Sequence, residues 1–142
     1  MSASHRDAVV LHVRGGEIAE AGSWVYAWLR VDGDRRVVYV GATGLPAEVR
    51  TWLHLHDPDP DVGRLIARYP VVGTQPLDVI AVEIPDGESR QNAKALLAAA
   101  LAKEGFLSKN YIGDDPGAAT VHESTAHSID AIVAYVREHI AA

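Results

Sequence analysis

The chain has no cysteine. This excludes a disulfide framework, a thiol nucleophile and a thiolate metal site, and it suits a reducing compartment. Long apolar runs are missing as well. The longest, residues 95–102, is far too short to span a bilayer, and the opening MSASHRDAVV lacks the layout of a signal peptide. The expectation is a soluble, cytoplasmic protein that does not engage a membrane. Basic charge is not in excess either: 13 Lys and Arg stand against 19 Asp and Glu, for a net charge of −6. Sequence-independent affinity for nucleic acid comes mainly from cations that replace phosphate counterions, so this balance argues against a general coat protein. It leaves room for a local basic cleft, and Arg30, Arg35, Arg36, Arg50, Arg64 and Arg68 make the middle of the chain its most positive part. No Gly-rich phosphate loop, Ser-His-Asp signature or dinucleotide fingerprint is present.

With 142 residues, about half of them apolar, the chain has enough material for one domain, 1–142, with a sizeable core. No internal repeat, low-complexity tract or linker divides it. Residues 23–56 organise the rest. Two β-branched and aromatic runs flank Asp32-Gly33, which supplies the positive φ angles of a two-residue hairpin loop. That loop predicts Val31 opposite Asp34, Trp28 opposite Val37, Tyr26 opposite Tyr39 and Trp24 opposite Gly41. In the first strand Val25, Ala27, Leu29 and Val31 take one face and Trp24, Tyr26 and Trp28 the other, the pattern of a central strand whose aromatic side floors a partly open cleft.

Pro46 is a good first helical residue, and a helix is expected over 46–56. Val49, Trp52, Leu53 and His56 form its inward stripe. Arg50 and His54, about 40° apart around the axis, share a neighbouring face and can point at one ligand. A second short helix follows over 62–69, a strand over 77–84, and an alanine- and leucine-rich helix over 89–104 that stops at Gly105. The apolar centre of that helix is either buried or a partner interface. An amphipathic helix over 124–141 closes the chain, with Ile129, Ile132, Val133, Val136 and Ile140 at helical spacing. Before the hairpin, 1–7 reads as a tail, 8–14 as a short strand or helix start, 17–21 as one helical turn closed by Gly22. A Gly- and Asp-rich loop occupies 112–120. The fold class is thus α/β (α+β): a small, mainly antiparallel three-stranded sheet flanked by helices, with an added C-terminal helix.

Trp24-Val25-Tyr26, Tyr39-Val40-Gly41, Thr43, Arg50 and His54, in this order and spacing, resemble the GIY-YIG nuclease family. The resemblance covers about 23–112, leaving 8–22 and the last helix as additions, and the element order is similar. It implies phosphodiester chemistry, with Tyr26 and Tyr39 at the attacking water and the phosphate. Arg50 would sit on the phosphoryl oxygens, and His54 in proton transfer or phosphate contact. Gly41 would keep the cleft clear of a side chain. Trp24 departs from the pattern, standing where the family usually has glycine.

The larger departure concerns the metal. Asn110 resembles the family's core-closing asparagine, and twelve residues before it, where a metal-binding glutamate is implied, stands Ala98. Glu88 lies about 15 Å from that position along a helix axis and Glu104 about 9 Å, on a different face. Magnesium needs hard oxygen ligands, which alanine lacks. The expected function is a nuclease-fold protein that binds nucleic acid with cleavage absent or weak. An active endonuclease holding magnesium or manganese through Glu83 or Glu88 is the first alternative, and a protein-interaction scaffold the second. Partners would be DNA or another nucleic acid, or a protein or second copy docked on the apolar helices. A zinc site at His54 and His56 is a competing reading: i and i+2 on a helix point about 200° apart and cannot share one ion, whereas on an extended segment they could. His122, His127 and His139 read as surface histidines.

Overall fold

The computed structural model describes residues 10–20, 22–113 and 122–142. The expected tail over 1–7 and most of the expected loop over 112–120 lie outside them. A small exposed hairpin, β1 (Val13–Arg14) with β2 (Glu17–Ile18), comes first. Gly15 and Gly16 both have positive φ, so the chain turns back in two residues and Glu17 starts a strand. This corrects the expected helical turn over 17–21.

The main sheet has the order β4-β3-β5, with β3 (Trp24–Arg30) pairing antiparallel to both β4 (Val37–Thr43) and β5 (Leu77–Glu83). Between the strands lie α1 (Ala47–His56), α2 (Arg64–Arg68) and a 3₁₀ turn (Pro70–Gly73). After β5 come α3 (Arg90–Lys103) and α4 (Glu123–Ala141). A three-stranded antiparallel sheet flanked by helices is therefore the architecture.

The hairpin register differs from the sequence expectation. Arg30 N–H donates to the Arg36 carbonyl, so the loop is longer than two residues, and both Gly33 and Arg35 adopt positive φ within it. Asp34 explains the longer loop. Its carboxylate accepts from Ser108 Oγ at 2.6 Å and from the Arg36 N–H at 3.2 Å, and pairs with Arg30 at 3.3 Å. Burial opposes ionisation there, but these hydrogen bonds and the charges of Arg30 and Arg36 hold the carboxyl below its ordinary pKa. Val38 is then a bulge, because Leu29 faces Val37 while Trp28 faces Tyr39. Beyond it the offset from the expected register is two residues. Tyr26 lies opposite Gly41, not Tyr39, and Trp24 opposite Thr43. An even shift keeps each side chain on its expected face, so Tyr26 and Tyr39 remain on one side as diagonal neighbours.

Each sheet face carries its own core. Val25, Ala27 and Leu29 pack with Val37 and Val40 against Leu97, Ala98 and Leu101 of α3 and Ile129, Ile132, Val133 and Val136 of α4. The apolar stretch of α3 is thereby turned largely into the core. Ser89 caps that helix by accepting from Asn92 N–H, and Gly105 ends it at positive φ. On the opposite face Tyr26, Trp28, Val38 and Tyr39 meet Leu65 of α2, Tyr69 just after it, and Val72. Segment 106–112 pairs with the start of the free edge of β4: Val37 N–H donates to the Phe106 carbonyl, and the N–H groups of Ser108 and Ile112 donate to the carbonyls of Val37 and Val38. No helix among the described residues is long and apolar enough to cross a membrane.

Candidate functional site

The aromatic face is not an open cleft floor. Tyr26 is 3 % exposed, Tyr39 6 % and His54 0 %, because α1 lays His54, rather than the expected Trp52 and His56, onto the sheet. Trp52 is 59 % exposed and its ring lies 4.7 Å from that of His56. The α1 stripe is rotated from expectation because three aromatic rings make a better seat for an imidazole than solvent does. The rings of Tyr26, Trp28 and Tyr39 meet His54 edge-on at 5.8, 5.7 and 5.2 Å between centroids.

The Tyr26 hydroxyl lies 2.7 Å from His54 Nε2. Burial pushes the Tyr26 phenol above its ordinary pKa, and the neighbouring Tyr39 adds to this, while Arg50 and Arg64 pull it back. Burial also drives His54 down to about 3, helped by the charges of Arg50 and Arg64. At neutral pH the pair is therefore an uncharged phenol and an uncharged imidazole. His54 Nδ1 has no partner among the described residues.

Arg50 is the member of the cluster that reaches solvent. From the first half of α1 it donates to the Val62 carbonyl at 2.7 Å, tying α1 to the start of α2, and it lines a cleft of about 710 Å³. The other walls come from Thr43 at the end of β4, Gly44 after it, and Arg90, Gln91 and Lys94 on α3, with Glu20 and Asp61 also lining the cleft. Thr43 Oγ1 accepts from Leu45 N–H, shaping the turn into α1. Sequence reasoning missed Arg90 and Lys94. The signal was there: 90, 91 and 94 are the polar stripe opening an otherwise apolar helix.

Of the remaining predicted residues only Gly41 touches this cluster. Gly41 sits beneath the Tyr26 ring, where an added β-carbon would meet the phenol, so its role is contact within the sheet rather than clearance of a cleft. Ala98 is 4 % exposed in the core on the opposite side of the sheet. Glu83 is exposed at the end of β5. Glu88 accepts from the hydroxyls of Ser124 and Thr125, which fastens the first turn of α4 and lowers its pKa. Asn110 is exposed, its N–H donating to Ser108 Oγ, and it borders a different surface pocket beside Tyr69 and Gln75. Among the described residues no group of three or more His, Asp or Glu side chains is placed to hold a metal ion. At the position where the resemblance implies a single metal-binding glutamate, Ala98 offers no oxygen and packs in the core, so the described residues there do not fit a divalent cation. No family model, no curated protein and no solved structure matches this chain.

Proposed function

We propose that this chain is a degenerate GIY-YIG-type domain that binds the phosphate backbone of nucleic acid through the Arg50 cleft, with metal-dependent cleavage absent or weak. The carrying observation is the split within the cluster: Arg50 lines a cleft, while Tyr26, Tyr39 and His54 are sealed behind it. A guanidinium at a cleft wall can hold a phosphate oxygen whether or not chemistry follows. A buried, neutral His54 already bonded to Tyr26 is poorly placed to take a proton from water in that cleft. The element order and the shared face of Tyr26 and Tyr39 also support the reading.

The test is purified protein with duplex, branched and single-stranded DNA. Binding should weaken steeply with salt, Arg50→Ala should reduce the slope of log affinity against log salt by about 0.7 to 0.9, and magnesium or manganese should yield no cutting. Absence of binding at low salt overturns the proposal, as does robust cutting that Arg50→Ala abolishes. One observation favours the protein-partner alternative: Trp52 borders an apolar groove with Trp24, Leu55, Val79 and Ala81. Retention of a protein partner by Arg50→Ala and its loss in Trp52→Ser would mark that groove as the working surface.

A further inference from the structure

The cleft that Arg50 lines also holds a carboxylate from the protein's own N-terminal hairpin region. Glu20, just after β2, reaches Arg90 at the start of α3 with both oxygens, Arg90 Nη1 to Oε1 at 3.1 Å and Nη2 to Oε2 at 3.2 Å. This two-pronged geometry is the one a guanidinium also offers to a phosphate. The pair lies against Gly44, where a β-carbon would collide with both the guanidinium and the carboxylate, so the anion is seated on the backbone of the turn between β4 and α1. Lys94, one helical turn after Arg90, lines the same cleft. Arg50 of α1 and Arg90 and Lys94 of α3 therefore line one cleft together with the carboxylates of Glu20 and Asp61, and the anion now on Arg90 comes from the protein itself. The residues that carry it there belong to an exposed hairpin: β1 and β2 are exposed along their lengths.

We infer that Arg90 and Lys94 form a second phosphate subsite of this cleft, taking a backbone phosphodiester adjacent to the one on Arg50, and that Glu20 is its resident competitor. The inference rests on the nucleic-acid reading above and adds to it both the subsite and its self-occupation. Binding of the backbone requires Glu20 to leave Arg90. The cost is small, since an exposed ion pair is weak, so Glu20 attenuates binding rather than blocking it. The Glu20 carboxyl titrates below its ordinary range through its hydrogen bond and charge interaction with Arg90, so it remains a competing anion at neutral pH.

The experiment measures affinity of the full chain for fluorescein-labelled duplex DNA at several salt concentrations. Wild type is compared with Glu20→Gln, Glu20→Gln/Arg90→Ala and Glu138→Gln, an exposed acid on α4 that controls for the change in net charge. Glu20→Gln should bind tighter, by up to about fivefold, and more than Glu138→Gln does. Adding Arg90→Ala should remove the gain and lower the salt slope by about 0.9. Equal gains in Glu20→Gln and Glu138→Gln, or a loss in Glu20→Gln, overturn the inference while leaving the Arg50 reading intact. No binding by any variant overturns both. Inorganic phosphate, titrated by calorimetry, separates the sources: a Glu20→Gln gain seen with phosphate and not with DNA overturns the assignment to a nucleic-acid backbone.

Discussion

Gly41 lies directly opposite Tyr26 in the β3-β4 ladder, and a β-carbon there would stand 2.5 Å from the phenol oxygen. The glycine is needed because the ring crosses the neighbouring strand on its way to His54.

Gly41→Ala should therefore displace Tyr26 and destabilise the fold by about 1–3 kcal/mol, the usual cost of overpacking a filled interior. Urea unfolding followed by tryptophan fluorescence measures this. An unchanged midpoint would mean that the ring can move aside freely.

The buried imidazole makes stability depend on pH in one direction. His54 falls to about 3 in the folded state, against 6.5 for an ordinary histidine, so between those values the unfolded chain binds the proton more tightly. Its contribution is complete above about pH 6.5. It is lost as pH falls, by about 1.4 kcal/mol per unit until the folded value is reached. Asp34, held below its ordinary pKa, adds loss in the same direction at lower pH. NMR of the ring should show His54 neutral at pH 5, where exposed histidines are charged, and His54→Phe should flatten the upper part of the stability profile.

Removing the Tyr26 hydroxyl tests the pair itself. Tyr26→Phe leaves Nε2 of a fully buried imidazole without its partner, at a cost of about 1–3 kcal/mol. In a double-mutant cycle with His54→Phe the two losses should overlap rather than add, with a coupling of about 0.5–3 kcal/mol.

Divalent cations should leave the fold indifferent. The melting temperature should be the same in magnesium and in EDTA, because Ala98 offers no oxygen and Glu88 is committed to Ser124 and Thr125. Glu88→Ala should lower the melting temperature in both conditions alike by loosening the start of α4. A magnesium-dependent rise that Glu88→Ala removes would assign that carboxylate to a metal after all.

Most of the sheet and its helices were legible because alternation in 24–31 and helical spacing in 89–104 and 124–141 are properties of contiguous residues. The register was not. It depends on Asp34 meeting Ser108, a contact across 74 residues, and on a bulge at Val38 that no local pattern announces. The rotation of α1 was hidden for a similar reason. Histidine is ordinarily placed outside and tryptophan inside, and only the three rings supplied by β3 and β4 reverse the order for His54 and Trp52. The cleft was legible by halves, since Arg50 stands out four residues before His54 on one helix while Arg90 and Glu20 reach the cleft from segments 70 residues apart.

The strap over β4 bears on how the molecule is made. A hairpin of contiguous residues can pair within microseconds of emerging, yet the outer backbone groups of Val37 and Val38 find their partners only in Phe106, Ser108 and Ile112. During synthesis some seventy further residues must leave the ribosome before that edge is closed, at a rate that makes the wait several seconds. For that interval the nascent hairpin carries an unpaired outer edge at Val37 and Val38, the kind of template on which chains associate. Late docking of 106–112 is thus the step that gives the outer groups of Val37 and Val38 their partners, and the order of synthesis makes it the last part of this ladder to form.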